Sequence, residues 1–184
     1  MSVFKSKGII LKYKFLNQKG EILYDIFSLD YGKIQAIKKS SKKEKILDLG
    51  NLIDFEIETS LGSNINKIRN IKIINTFYYL ETNFNIINIY LEIINLISKN
   101  TPEGIIIKEI YDVLFIINTF KNIDYTKLVL SKLKIFSIFG NLNLENKDLI
   151  VSKILNFISK NNIEKIFLLT GIDEKILQNL EKIK

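Results

Sequence analysis

The chain reads as an α+β protein: a five-stranded barrel of the OB-fold type over residues 1–76, followed by an all-α helical domain over residues 77–184. Three observations predict this. Up to Ile74, apolar residues recur at every second position in short runs separated by turn chemistry. Beyond Tyr79 they recur at steps of three and four. One long connection, residues 40–50, follows the third strand, where an OB barrel carries its long and often helical link between strands three and four. An SH3-like barrel competes with the OB reading, and strand propensity does not separate the two.

The strands follow in order. "GIILKYKFL" (8–16) alternates, with Ile9, Leu11, Tyr13 and Phe15 on one face and Lys12 and Lys14 on the other. "NQKG" supplies a turn. "EILYDIFSL" (21–29) is the second strand, and "DYG" turns the chain into "KIQAIKK" (33–39), the third. "KKEKILDLG", in the long connection, has the composition of a short helix. "NLIDFEIETS" (51–60) puts Ile53, Phe55 and Ile57 inward and Asp54, Glu56 and Glu58 outward. "LGSN" is a hairpin turn before "INKIRNIKII" (65–74). Strict alternation sets Lys67 and Arg69 on the face of Ile65 and Ile71 unless a bulge intervenes.

Helices account for the remainder. A first, over 79–98, carries Leu80, Phe84, Ile87, Leu91 and Ile94 on one stripe. "NTPEG" breaks it at the chain's single proline. The second, over 106–120, aligns Ile106, Ile110, Val113 or Leu114, and Ile117. Asp124 is the expected N-cap of a third that runs to Phe139 and stops at Gly140. A fourth spans 148–159 with Ile150, Val151, Ile154 and Ile158. Two short helices follow, one ending near Thr170 and one starting after Asp173.

Composition excludes several chemistries. The chain of 184 residues has no cysteine and no histidine. Disulfides, thiolate metal sites and cysteine nucleophiles are absent, as are the usual general base near neutral pH and the commonest metal ligand. No "GxxxxGK" phosphate loop occurs. A nucleophilic triad is nearly excluded and no cofactor or metal is expected, while lysine chemistry stays possible in principle. No apolar run is long enough to span a bilayer, and lysines interrupt the opening "MSVFKSKGIILKYKF". A soluble, cytoplasmic protein with no membrane partner is expected.

Net charge is +7 and the pI is about 9.3, values that point to nucleic acid. Ile, Asn and Lys are frequent throughout, so coding bias inflates lysine everywhere. The excess is nevertheless uneven. Residues 1–76 hold 14 basic and 8 acidic side chains, whereas residues 77–184 hold 13 and 12. Positive charge thus gathers on the barrel. Its candidate nucleic-acid-binding residues are Lys12 and Lys14 on strand one, Lys33, Lys38, Lys39, Lys42, Lys43 and Lys45 on strand three and its exit, and Lys67 and Arg69 on strand five. Tyr13, Tyr24 or Tyr31 are candidates to stack bases beside them. Nothing here promises base-specific readout, so binding should tolerate sequence and depend on salt. The bland counterpart is a lysine-guarded solvated edge. Asp54, Glu56 and Glu58 are read as an exposed strand face paired with neighbouring lysines rather than as a magnesium site.

The barrel run "GIILKYKFLNQKGEILYDIFSLDYGKIQAIKK", with Glu21, Phe27-Ser28, Gly32 and Lys38-Lys39 at the matching points, resembles the start of the RecO family of bacterial DNA repair proteins. "NLIDFEIETS", "KIRNIKIINTF", "LISKNTPEG" and "LVLSKLKIFSIFGNLNLEN" resemble later parts of that family. Departures are clear: the four-cysteine zinc motif found in many members is missing, Asn141 replaces an aromatic residue, and the chain is short. The resemblance implies a zinc-less mediator of DNA recombination and damage repair that is not an enzyme. It implies binding of single- and double-stranded DNA, strand annealing, and work with a RecR-like protein to load RecA, in a bacterial, nucleoid-associated setting. It also implies a groove for the acidic, apolar tail of single-strand DNA-binding protein, for which Lys127, Lys132 and Lys134 near Phe136 are the candidates. Two other readings stay open: an RNA-binding OB protein, and an interaction scaffold whose lysines only solubilise it.

Overall fold

The computed structural model describes residues 2–16, 20–39, 46–59, 66–77, 83–121, 123–145 and 148–183. Five strands come first: β1 (Ser2–Phe15), β2 (Glu21–Ser28), β3 (Gly32–Lys39), β4 (Leu52–Thr59) and β5 (Asn66–Asn75). They close into a barrel in the order β1-β2-β3-β5-β4. All pairings are antiparallel except β3 with β5, which run parallel at Ala36↔Asn66 and Ile37↔Lys67. This order, with a single parallel closure, is compatible with an OB-fold.

β1 starts six residues earlier than its alternating pattern suggests, because it serves two neighbours. Its first half pairs with β4, from Ser2↔Thr59 to Ile9↔Leu52, and its second half with β2, from Gly8↔Ser28 to Phe15↔Ile22. Gly8 sits where the strand passes from one partner to the other. A Cβ there would lie 2.7 Å from Ile26 Cγ2 and 3.0 Å from the Phe27 carbonyl oxygen, so only glycine lets the backbones approach.

Two bulges set which side chains face inward. In β1 the register slips between Ile10 and Lys12. Ile10 therefore joins the barrel core, and Tyr13 packs against it. The expected face of Ile9, Leu11, Tyr13 and Phe15 does not form as one surface, because the extra residue inverts the alternation midway. In β5 the register against β4 gains a residue between Arg69 and Lys72. Asn70 takes up the extra length at φ 50°, a left-handed conformation that asparagine tolerates. Ile68 lies in the core, Arg69 and Asn70 are both exposed, and Ile71 and Ile73 pack against the core again. The barrel interior is filled by Ile10, Ile22, Tyr24, Ile26, Ile34, Ala36, Leu47, Ile53, Phe55, Ile57 and Ile68. Each large side chain buried there contributes about 1.5–3 kcal/mol.

Six helices follow among the described residues: α1 (Phe84–Asn100), α2 (Lys108–Thr119), α3 (Tyr125–Ile138), α4 (Leu149–Lys160), α5 (Ile163–Ile166) and α6 (Glu174–Glu181). The chain forms two compact units that interleave in sequence. One comprises Met1–Tyr78 and Ile94–Tyr111, the other Tyr79–Ile93 and Asp112–Lys184.

In the first unit, the turn after α1 docks on β3. Glu103 bridges in parallel to Lys33, and the Gly104 amide donates to the Lys33 carbonyl at 2.8 Å. Gly32, at φ 64°, lets Ile105 approach so closely that a Cβ would lie 2.1 Å from the Ile105 carbonyl oxygen.

In the second unit, side-chain caps define the helix starts. Asp124 accepts from the Lys127 amide, Asp148 from Ile150 and Val151, Asn162 from Lys165, and Asp173 from Ile176. Each such cap satisfies amides that have no partner within the helix.

Two apolar stripes, on α1 and α4, are rotated from their expected places, while α2 buries Ile110, Val113, Leu114 and Ile117 as expected. α1 buries Ile89, Tyr90, Ile93, Ile94 and Ile97, while Phe84 is 74% exposed and Leu91 is also exposed. In the second helix Ile106 lies before the first turn and is exposed. α4 buries Val151, Leu155 and Ile158 and leaves Ile150 outside. Isoleucine is frequent enough here to mark more than one face of a helix, and tertiary packing selects between them. The start of the first helix at residues 79–82, the "LGSN" hairpin and the first four residues of "KKEKILDLG" lie outside the described residues; its remainder, residues 46–50, is not helical. Among the described residues, no helix is long and apolar enough to cross a membrane.

Candidate nucleic-acid interface

The barrel's basic residues fall into three settings. The first is structural. Lys33 leans onto the end of α1, where its Nζ donates to the Ser98 carbonyl at 2.6 Å and the Thr101 carbonyl at 3.4 Å. The last carbonyls of a helix have no intrahelical donor and carry the negative end of its dipole, so an ammonium satisfies both. The Lys33 ammonium is thus engaged by the fold.

The second setting is the outer face of β4. The β5 bulge brings Lys67, Arg69 and Lys72 opposite Glu58, Glu56 and Asp54 in turn. On the other side, β1 places Lys5 opposite Glu56 and Lys7 opposite Asp54. Arg69 ion-pairs with Glu56 at 3.2 Å and more closely with Glu58, and Asn70 Nδ2 donates to Glu56 at 2.8 Å. The three carboxylates therefore sit between two basic strands, as cross-strand pairing favours. Arg69 is held by its acids. Among the described residues no cluster of three or more acidic side chains is arranged to hold a metal ion.

The third setting is the barrel end formed by the close of β1, the start of β2 and the exit of β3. Lys38 continues the inward face of Ile34 and Ala36 and emerges at the barrel mouth, half-buried, opposite Ile22. Ile22 in turn faces Phe15. One row thus runs Phe15–Ile22–Lys38 across three strands, roughly 10 Å from first to last by strand spacing. Phe15 is 56% exposed and meets Tyr13 edge-on with ring centroids 6.0 Å apart. Lys39 is exposed on the outer face opposite Glu21.

Beside this row a groove of about 490 Å³ opens between β3 and β5. Leu47, Ile68, Ile71 and Ile73 give it apolar walls, and Lys38, Lys39, Arg69 and Asn70 give it polar ones. Two strands paired at only two positions beyond which β5 bulges leave room for such a groove.

The remaining candidates fall elsewhere. Lys12 and Lys14 are exposed on β1, with Lys12 opposite Asp25, which already accepts from Gln35 Nε2 at 3.0 Å. Lys42, Lys43 and Lys45 lie outside the described residues. Of the expected stacking residues, Tyr24 is fully buried in the core, and desolvation raises its phenol above the usual 10; it has no face for a base. Tyr31 and Tyr13 pack against the core. Among the described barrel residues, the exposed aromatic side chains are Phe4 and Phe15. Sequence reasoning placed Phe15 on the core face, and it does continue the side of Tyr13 opposite Ile22, but it is the last residue of β1 and lies at the open barrel end. Its position beside the polar "LNQKG" turn was the available signal.

The helical candidates are not gathered into one rim. Along α3, Lys132 lies roughly 140° around the helix from Lys127, and Phe136 roughly 180°. Lys127 pairs with Asp124 at 3.3 Å and stands 5.1 Å over the Phe120 ring. Lys132 pairs with Glu92 at 2.6 Å. Lys134 is only 7% exposed and donates to the Ile158 carbonyl at 3.4 Å, near the end of α4. No protein-family model matches the chain, and no curated protein matches it.

Proposed function

We propose that the chain binds single-stranded DNA through an OB-fold barrel, without reading base sequence, and acts as a non-enzymatic mediator of strand annealing and recombination of the RecO kind. The observation that carries the binding is the barrel end: an exposed aromatic ring, Phe15, in register with Lys38, beside an apolar groove bordered by Lys38 and Lys39. Single-strand binding needs aromatic or apolar surfaces for base faces and a track of cations for phosphates. In this reading a base rests on Phe15, phosphates follow Lys38 and Lys39, and a neighbouring base enters the groove. Lys12 and Lys14 extend the track along β1. The absence of histidine and cysteine supports a role in binding rather than in nucleophilic chemistry.

The resemblance of the "GIILKYKFL…KIQAIKK" run to RecO proteins supports DNA over RNA, whereas the barrel's strand order belongs to an architecture that hosts both. Work with a RecR-like protein and with single-strand DNA-binding protein belongs to the same proposal. A strand-annealing assay with complementary labelled oligonucleotides tests it. Annealing accelerated by the chain and slowed by Lys38→Ala/Lys39→Ala is the expected result. Binding without annealing reduces the chain to a general DNA-binding module, and preferential binding of RNA moves it to RNA metabolism.

A further inference from the structure

A second cavity lies within the helical unit, between the first turns of α1, the middle of α3 and the end of α6. Its volume, about 270 Å³, falls just below the roughly 300–1,000 Å³ typical of small-molecule sites and suits a single long side chain. Ile89, Val129, Leu133 and Leu180 give it apolar walls. Its polar lining is acidic, in a chain whose net charge is +7. Glu92 and Glu181 both line it, against one cation, Lys132, whose Nζ is already 2.6 Å from Glu92 Oε2. Among the described residues Glu181 has no ion pair. Tyr125 faces it: burial first, then the Glu181 charge and hydrogen bond, raise the Tyr125 phenol above its usual 10. Asn85 and Asn88 add amide oxygens that can accept.

We propose that this cavity receives an arginine side chain carried by a peptide segment of a partner protein. The arginine stem is a run of methylenes that matches the apolar walls, and its guanidinium is donor-only and matches a lining of acceptors. The planar fork takes a carboxylate in two parallel hydrogen bonds, which Glu181 is placed to accept. Lysine offers a more strongly hydrated point charge and loses more on burial. An acidic peptide meets two carboxylates here and one cation already in use. Nucleic-acid phosphate is disfavoured for the same reason.

The test is a methyl-detected NMR titration of the full chain with the blocked tripeptide alanyl-arginyl-alanine, alongside versions carrying lysine, citrulline or glutamate in place of arginine. Saturable shifts confined to the methyls of Ile89, Val129, Leu133 and Leu180 are expected for arginine. Lysine should bind several-fold more weakly, and the neutral isostere citrulline and glutamate should give no saturable shift. Glu181→Gln should weaken arginine binding about tenfold, the loss of one charge-assisted pair. Non-saturating or scattered shifts, an equal response to citrulline, or unchanged binding by Glu181→Gln overturns the proposal. The peptide series uses the unmodified chain, so it decides the matter even if the variant does not fold.

Discussion

Lys33 is the residue on which the two uses of lysine in this chain can be separated. Its sequence neighbourhood groups it with the DNA-binding candidates, yet its ammonium donates to Ser98 and Thr101 at 2.6 and 3.4 Å. Lys33→Met keeps the stem and deletes the donor. A hydrogen bond involving a charged group contributes about 1.5–3 kcal/mol. The second, longer contact and the favourable helix-end charge overlap with that figure, so a loss of about 2 kcal/mol is expected. With a urea m-value of about 2 kcal/mol/M, the unfolding midpoint should fall by about 1 M. Circular dichroism read at increasing urea measures it. The salt dependence of DNA affinity should be unchanged, whereas deleting a phosphate contact flattens the log–log slope by about 0.7 for a single strand. An unchanged midpoint together with a flatter slope refutes the assignment and returns Lys33 to the binding surface.

Gly32→Ala forces a Cβ to within 2.1 Å of the Ile105 carbonyl oxygen at φ 64°. The left-handed backbone alone costs about 1–2 kcal/mol, and displacement of the 103–105 segment adds to it. A thermal melt should show clear destabilisation; a wild-type midpoint contradicts the docking of that segment. Asp148→Ala removes the acceptor for two α4 amides and should cost about 1 kcal/mol in a urea melt; no change means water replaces the cap. Burial holds the Tyr90 phenol well above the usual 10, and its hydrogen bond with Asn118 offsets this only in part. The folded state therefore keeps a proton that the unfolded chain releases as pH rises past 10, and stability falls above that pH. Tyr90→Phe should remove up to about 1.4 kcal/mol per pH unit of that decline. An identical slope in the variant would show that Tyr90 ionises freely in the folded chain.

Much of the barrel was legible because alternation is a direct record of a strand with one buried face. Tyr24, a candidate for base stacking, lies in the core, whereas Ile53, Phe55 and Ile57 fall where they were expected. So do the caps Asp124 and Asp173, since a helix start leaves a local chemical signature. Bulges leave none. One extra residue at β1 put Ile10 in the barrel core in place of Ile9 and Leu11, and one at β5 changed the face of Ile71 and with it the surroundings of Arg69. Long-range capping was equally hidden: Lys33 meets Ser98 across 65 residues of chain. The basic excess was visible in the totals. Its division into a helix cap, a neutralised strand face and an exposed barrel end required the register.

The central claim is tested most directly by titrating a labelled single-stranded DNA oligonucleotide, and RNA of equal length, with the chain at several salt concentrations. Three to five phosphate contacts predict a log–log slope of about −2 to −3.5, and Lys38→Ala/Lys39→Ala should flatten it by about 1.4. Phe15→Ala should weaken binding at every salt by about 1–3 kcal/mol without altering the slope. Micromolar protein that leaves the DNA unbound at low salt, or a slope untouched by the double variant, would contradict the account.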